Sequence, residues 1–159
     1  MAKINKIMDT SVPTLKKDGK ISDAAELIAN KPHGCVIIVE EKKPIGIITE
    51  SDILRNLNSI KPNDKVTKIM SSPITSIDLK TKLEKASKII DTKHFRRFPV
   101  VKNENLVGLV TENKIVHALN DNIKLHRNIQ NAVLIIFVIF EFFIFIFNEY
   151  LTNILQFLG

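Results

Sequence analysis

The sequence predicts a mixed α/β (α+β) fold in which one structural unit is used twice and is followed by an apolar helix. Two observations predict the doubling: Gly46–Leu54 recurs nearly unchanged as Gly108–Val116, and the offset of 62 residues holds without a gap from Lys6-Ile7-Met8 onward. A third observation sets the end of the chain apart, because residues 128–159 hold no base, two acids and seven of the nine Phe. Two equal repeats in register indicate one supersecondary unit whose copies bury each other's apolar faces.

The first repeat, residues 1–60, is expected to contain five elements. They are a strand at Thr14-Leu15, a helix from an N-cap at Ser22 to Asn30, strands at Cys35–Val39 and Ile45–Ile48, and a helix capped by Thr49 or Ser51 that ends near Leu57. The first helix has acids in its first turn and apolar residues on one face. Cys35–Val39 is a continuous apolar run, which predicts a strand buried on both faces.

The second repeat, residues 61–127, follows a polar linker at 58–66 and repeats the order β-α-β-β-α. Its elements are expected at Thr75–Ile77, Leu83–Asp91, Phe98–Val101, Leu106–Val110 and from about Glu112. We expect two small sheets, with helices on their outer sides, to face each other across a pseudo-twofold axis. That arrangement buries both cores.

Charged residues, like the phenylalanines, are distributed unevenly along the chain. All 23 Lys and Arg residues and 15 of the 17 acids lie at or before Arg127, so residues 1–127 carry a net charge of +8. This charge suits nucleic acid, anionic lipid or phosphorylated ligands, or is simply a solvated lysine-rich surface. No recognition helix or aromatic platform is evident, so nucleic acid is not an expected partner.

The cysteine content and the N-terminus indicate the compartment. Cys35 is the single cysteine, which excludes an internal disulfide and fits a reducing environment. No apolar segment follows the initiating Met, so no secretory signal is expected.

The doubled motif carries a family resemblance. Its residues are Gly46-x-x-Thr49-x-x-Asp52-Ile53, the partial copy Gly108-x-x-Thr111, and Arg97–Val101 before Gly108. Over residues 4 to about 120 the chain resembles a tandem pair of cystathionine-β-synthase (CBS) domains, the Bateman module. The resemblance implies a non-catalytic regulatory module that binds AMP, ADP, ATP or S-adenosylmethionine in clefts between the paired units and needs no other cofactor.

The resemblance also implies roles for individual residues. Thr49, beside a helix N-terminus, would donate to phosphate, and Asp52 would accept the two ribose hydroxyls. The adenine would lie against the strand that begins near Cys35 and Val36. Gly46 would allow a close backbone approach because it has no Cβ. Without a ligand, Thr49 is an N-cap and Asp52 a favourable first-turn acid.

The second repeat departs from the motif at Lys114, where the family has Asp. A lysine offers only donors and a positive charge, so it cannot accept ribose hydroxyls. We therefore expect one competent nucleoside site and one degenerate site. Thr111, Lys114 and Arg97 remain candidates for holding a phosphate, with Arg96 a weaker one. The alternative for Arg97 is an ion pair at the surface.

Enzymatic and metal-binding motifs are not evident. His33 and Cys35 lie two residues apart without a third ligand nearby, so no metal site is expected. The sequence has no Walker loop, Gly-x-Ser-x-Gly elbow or Cys-x-x-Cys pair. The protein is therefore not expected to be an enzyme.

Residues 132–147 contain one polar residue, Glu141, in an otherwise apolar run. Extended through Leu158, the segment is about 40 Å long as a helix, which exceeds the roughly 30 Å of a bilayer core. Glu141 opposes insertion by about 2.5–3.5 kcal/mol, less than the flanking apolar residues favour it. We therefore expect residues 128–159 to form a transmembrane helix.

Orientation and partners follow from the polar residues around that helix. Lys124 and Arg127 precede it and no base follows, so a single-pass cell-membrane protein with the repeats in the cytoplasm is expected. Four polar residues lie within about 40° on one helix face; they are Gln130, Glu141, Asn148 and Thr152. This seam favours a second copy or another membrane subunit as partner. The alternatives are a solitary span with a neutral Glu141, or a helix packed on a soluble dimer partner.

Two functions follow from these observations. The first is a membrane-tethered sensor of an adenosine-containing ligand, which acts on its own dimer or on a membrane partner. The second is a structural accessory subunit of a membrane complex that has lost its ligand, as Lys114 and the polar seam would allow.

Overall fold

A computed structural model describes the backbone of residues 3–93 and 95–158, and their side chains except those of residues 93, 122, 149, 150, 152 and 154–158. The chain divides into two compact units, Met1–Leu119 and Asn120–Gly159. The sequence analysis placed that division near residue 128. The earlier boundary arises because α4, the last helix, contributes Ile115, Ala118 and Leu119 to the core of the first compact unit.

The elements follow the predicted order in both repeats, which confirms the mixed α+β fold. In chain order they are β1 (Thr14–Lys16), α1 (Ile21–Asn30), β2 (Cys35–Glu40), β3 (Lys43–Thr49), α2 (Glu50–Asn56), β4 (Ile77–Asp78), α3 (Leu83–Lys93), β5 (Arg97–Lys102), β6 (Asn105–Thr111) and α4 (Glu112–Leu158). Short 3-10 turns at Ile4–Lys6 and Val66–Lys68 precede the two repeats' first strands.

Two three-stranded sheets form the core, in the orders β1-β2-β3 and β4-β5-β6. In each sheet the first pair is parallel and the second is antiparallel. Residues Cys35 to Ile38 of β2 are fully buried, which confirms the strand with two covered faces. A cluster that includes Ile37 and Leu109 joins the two sheets.

Each core contains a segment from outside its own repeat. Ile4 is fully buried among residues of the second repeat, and Val66 is fully buried among residues of the first. The backbone bridges of these segments obey the 62-residue offset, since Asp9 pairs with Leu109 as Ser71 pairs with Ile47. The two repeats are therefore continuous in sequence but exchange short segments in space.

The exchange of these segments explains why both Gly46 and Gly108 lack a side chain. A Cβ at Gly46 would lie 2.9 Å from the Met70 sulfur, and one at Gly108 would lie 2.8 Å from the Met8 sulfur. The close approach expected at Gly46 is therefore made by the exchanged segment. The ligand role suggested for that glycine is corrected accordingly.

Helix α1 begins one residue before its predicted N-cap, Ser22. The amides of Ile21 and Ser22 donate to the carbonyls of Asp64 (2.9 Å) and Pro62 (3.0 Å). The linker thus satisfies first-turn amides that a side-chain cap would otherwise accept. Ser22 is therefore inside the helix, where its hydroxyl donates to Asp23.

Helix α4 runs unbroken from Glu112 to Leu158, 47 residues, or about 70 Å. The sequence analysis expected a helix from Glu112 and an apolar helix from 128 as separate elements, but no break separates them. The described apolar side chains between Val133 and Phe147 are all exposed by more than two fifths. By length and composition alone, Glu112–Asn148 is one helix that could cross a membrane.

Candidate ligand-binding clefts

The first cleft is a cavity of about 200 Å³ at the start of α2. It lies between the two repeats, because residues before β4 and at the start of β5 complete its wall. Its lining residues are Ile47, Thr49, Asp52, Arg55, Ser71, Pro73, Ile74, Thr75, Phe95, Arg96 and Arg97. The predicted site residues Thr49, Asp52 and Arg97 therefore meet in one place.

Thr49 and Asp52 form a reciprocal cap at the N-terminus of α2. The Thr49 amide and hydroxyl donate to Asp52 Oδ2 at 2.8 and 2.7 Å, and Thr49 Oγ1 accepts from the Asp52 amide at 3.4 Å. Asp52 is only 8% exposed. Thr49, rather than Ser51, is therefore the N-cap, and the pair faces the cleft while it caps the helix.

Arg55 completes this group, and the sequence analysis missed it. Its Nη2 donates to Asp52 Oδ1 at 3.0 Å, and its Nε donates to the Ser51 carbonyl at 3.1 Å. The arginine side chain is 72% exposed, whereas the aspartate side chain is 11% exposed. The three-residue spacing on one helix was the available signal, since it brings these side chains together.

Arg96 and Arg97 line both this cavity and a second one. Arg97 Nε donates to the His33 carbonyl at 2.7 Å, and this bond links β5 to the turn before β2. Its described partner is thus a backbone oxygen rather than the surface carboxylate considered for it. Two guanidinium groups between the clefts make this region suited to anionic ligands.

The second cleft, of about 780 Å³, lies at the start of α4. It is lined by Asp9, Pro32, His33, Arg96, Arg97, Thr111, Glu112, Asn113 and Lys114. Thr111 Oγ1 accepts from the Lys114 amide at 3.4 Å, as Thr49 does in the first cleft. Lys114 Nζ, however, binds Asp9 Oδ1 at 2.5 Å, and Asp9 Oδ2 lies 3.6 Å from His33 Nδ1.

In the second cleft, the Lys114–Asp9 ion pair lies where the first cleft has the Asp52 carboxylate. Asp9 occupies the position equivalent to Ser71, so an acid faces Lys114 where the first cleft has a serine near Asp52. The lysine is therefore already paired. A phosphate would have to compete with Asp9 for it.

Cys35 and Val36 lie away from the clefts. Both are fully buried, and neither is among the residues that line the two cavities. Burial raises the pKa of the Cys35 thiol to about 11, although the nearby Arg97 charge opposes that shift. Their predicted contact with adenine stays a prediction, and it would have to come from the backbone of β2, because both side chains are fully buried.

Phe95 is the aromatic residue that lines the first cleft, and the sequence analysis missed it as well. It is 49% exposed, and its ring is edge-on to that of Phe98 with 6.5 Å between centroids. A phenylalanine directly before Arg96 and Arg97, ahead of the apolar run at 98–101, was the available signal.

The residues of the predicted polar seam belong to α4. Gln130, Glu141 and Asn148 are exposed on this helix, and the side chain of Thr152 lies outside the described residues. Among the side chains that the structure describes, no group of three His, Cys, Asp or Glu residues is placed to hold a metal ion.

The model of the CBS domain matches this chain twice, at residues 4–59 and 66–121. The chain belongs to the CBS-domain family. The CBS domain-containing protein YhcV of Bacillus subtilis is 31% identical over 112 residues, which cover 69% of this chain and 80% of YhcV. Two uncharacterised proteins of Methanocaldococcus jannaschii are each 28% identical over 75% of this chain, which spans only 32% and 43% of their length.

Solved CBS structures share the fold. A CBS domain protein of Pyrobaculum aerophilum complexed with AMP is 22% identical, with a TM-score of 0.65, over 71% of this chain and 89% of that chain. The CBS domain pair of the protein MJ0100, in complex with 5'-methylthioadenosine and S-adenosylmethionine, is 21% identical, with a TM-score of 0.68, over 77% and 98%. These likenesses establish a tandem CBS pair in residues 4–121.

Proposed function

We propose that this CBS pair is a regulatory module that binds one adenosine-containing ligand in the first cleft. The observation that carries the proposal is the Thr49–Asp52 pair at the N-terminus of α2, with Asp52 Oδ2 accepting at 2.7–2.8 Å and both residues facing the cleft. Solved CBS neighbours in complex with AMP or S-adenosylmethionine support the ligand class.

Each part of such a ligand has a chemical counterpart in this cleft. Asp52 would accept ribose hydroxyls, and Phe95 offers a half-exposed ring on which adenine can stack. The arginines that line the cleft would hold phosphate or carboxylate groups. The cavity of about 200 Å³ is smaller than the roughly 300–1,000 Å³ usual for ligand pockets, so binding would require the cleft to widen.

We propose that the second cleft does not bind a nucleoside. Lys114 provides no acceptor for ribose, and its pairing with Asp9 neutralises the charge that would otherwise hold a phosphate. An expected stoichiometry of one ligand per chain follows.

Signalling would proceed by population shift. The first cleft is bounded by residues of both repeats, so a ligand that contacts Asp52 and Arg97 favours relative positions of the repeats that keep both contacts. We propose that the regulated activity belongs to a partner of this module.

We also propose that α4 crosses the cell membrane once, with the CBS pair in the cytoplasm. Its length, its exposed apolar surface and the bases at Lys124 and Arg127 support this placement. Retention of the full chain in membranes after an alkaline carbonate wash is expected, and release into the supernatant would contradict the proposal.

The partner we propose is a second copy of the chain. Leu54 on α2 and Val116 on α4, which are equivalent at the 62-residue offset, are 69% and 46% exposed. Equivalent apolar positions suit a self-complementary interface, and the polar seam of α4 would pair in the membrane. Light scattering of the detergent-solubilised chain should give the mass of a dimer, and a monomer mass would contradict it.

The experiment that tests ligand binding is thermal unfolding of the full chain in detergent, with AMP, ADP, ATP or S-adenosylmethionine present. A ligand at 100 times its dissociation constant adds about 2.7 kcal/mol, which raises the unfolding midpoint by several degrees. The shift should vanish in Asp52→Asn and persist in Asp91→Asn, an exposed aspartate on α3.

No shift with any of the four compounds would contradict the sensor function. The ligand-free accessory subunit would then be favoured, because the ion pair in the second cleft and the long apolar helix need no ligand. Co-purification with a stoichiometric membrane protein, without nucleotide, would support that second function.

A further inference from the structure

The carboxylate of Asp52 has fewer free acceptor positions than a ribose needs. Its Oδ2 accepts two hydrogen bonds from Thr49, and its Oδ1 accepts one from Arg55. A carboxylate offers about four acceptor positions in all, so roughly one remains. Two ribose hydroxyls cannot both donate to Asp52 unless one of the present donors leaves.

Arg55 is the donor that leaves most easily. The Thr49 amide is fixed in the backbone at the helix start, and the Thr49 hydroxyl also accepts the Asp52 amide. The Arg55 side chain is 72% exposed, so water can solvate its guanidinium once the ion pair with Asp52 is broken. Ion pairs this exposed contribute little to stability.

When Arg55 leaves Asp52, its positive charge is no longer paired, and the ligand can supply a new anionic partner. The first cleft is lined by one acid, Asp52, against three arginines, Arg55, Arg96 and Arg97. A phosphorylated ligand gives the displaced guanidinium new acceptors in the same cavity. Adenosine offers no anion, and S-adenosylmethionine carries a net positive charge.

We propose that Arg55 determines which adenosine-containing ligands the first cleft accepts, and that the preferred class carries a phosphate chain. Arg55 competes with the ribose for Asp52, and a ligand that carries phosphates offers the displaced guanidinium charged acceptors that adenosine does not. This inference rests on the proposed function of the same cleft. It adds a selection rule, namely ATP or ADP over adenosine and over S-adenosylmethionine.

The test is calorimetric titration of the full chain in detergent micelles with adenosine, S-adenosylmethionine and ATP, and the same titrations with the Arg55→Gln chain. Removing the competitor should tighten adenosine binding about two- to five-fold, because exposed ion pairs of this kind are weak. Losing a charge-assisted hydrogen bond to phosphate should weaken ATP binding about three- to tenfold. The affinities of the two ligands are therefore expected to move in opposite directions.

Two further variants make the result specific. Arg55→Lys keeps the positive charge and should leave both affinities within about threefold of the parent chain. Lys102→Gln removes one charge from an exposed position that lines neither cleft, and both affinities should stay unchanged. Arg55 is largely exposed, so these chains should unfold near the parent's midpoint.

The outcomes separate the two proposals. If neither adenosine nor ATP binds the parent chain, the proposed function fails and this inference fails with it. If both bind but Arg55→Gln changes their affinities in the same direction, or changes neither, the cleft binds nucleosides and Arg55 is not the selector. Binding of S-adenosylmethionine as tight as that of ATP would also overturn the selection rule.

Discussion

At the scale of single residues, one carboxylate serves both the fold and the site. Asp52 caps α2 through Thr49 and faces the first cleft with the same oxygens. A cap of this kind contributes about 0.5–2 kcal/mol, so any change at Asp52 lowers stability as well as ligand affinity. The ligand-induced shift in unfolding temperature of each Asp52 variant must therefore be measured from the unfolding midpoint of that variant without ligand.

Cys35 gives the residue-scale prediction for pH. Burial raises the pKa of its thiol from 9.0 to about 11, so the folded state keeps a proton that the unfolded state releases between these values. Stability from this group is complete below pH 9 and is lost as pH rises toward 11. The loss should total about 2–3 kcal/mol.

Guanidinium unfolding of the full chain in detergent, followed by circular dichroism at pH 8 and pH 11, measures this loss. Cys35→Ala is the control, because lysines titrate over the same range in both chains. The decline between the two pH values should be smaller in Cys35→Ala by that amount. Equal declines in the two chains would show that the thiol does not carry the effect.

At the scale of elements, the two clefts are built on the same frame with opposite charges at one position. Thr111 and Thr49 cap equivalent helices, but Lys114 stands where Asp52 does, and Asp9 stands where Ser71 does. The second cleft therefore differs from the first at two facing positions, and the two charges there are opposite and paired. The single change Lys114→Asp would leave two carboxylates facing each other.

The double change Lys114→Asp with Asp9→Ser restores the pattern of the first cleft in the second. A second nucleotide site should appear, and the stoichiometry measured by titration calorimetry should rise from one to two per chain. Lys114→Asp alone should bind one, because Asp9 repels the new carboxylate. A stoichiometry that stays at one in the double variant would show that the second cleft is closed for another reason.

The elements also show how far the sequence could predict the structure. Local patterns predicted the order of the strands and α-helices in both repeats, because apolar periodicity and turn residues act within a few positions. They could not assign Ile4 to the second core or Val66 to the first, since an apolar segment fits either core by composition. The start of α1 was missed for a similar reason: carbonyls 40 residues away accept its amides.

The residues of the candidate site could be predicted from the sequence to a similar extent. Thr49 and Asp52 were singled out because Gly46–Leu54 recurs at a fixed offset, and Arg97 because it begins the run Arg97–Val101 before Gly108, whereas Arg55 and Phe95 belong to neither pattern. Cys35 and Val36 line neither cavity, because their side chains are fully buried in β2. Lys114 was identified from its charge, but its partner Asp9 is 105 residues away.

At the scale of the whole molecule, a CBS pair and an apolar helix share one chain. Residues 4–121 form the CBS pair, and α4 continues unbroken to Leu158. The described part of the first unit contains clefts lined by arginines, and the second unit contains exposed phenylalanines such as Phe143. Such a division suits a protein whose signal is a small anion and whose output lies at a membrane.

The central claim is that one nucleotide binds per chain, through Asp52. Equilibrium dialysis of the detergent-solubilised full chain against labelled ATP tests it most directly. The account predicts one ATP per chain, a loss of at least about tenfold in affinity for Asp52→Asn, and unchanged binding for Lys114→Gln. No bound ATP, two per chain, or binding that depends on Lys114 and survives Asp52→Asn would contradict it.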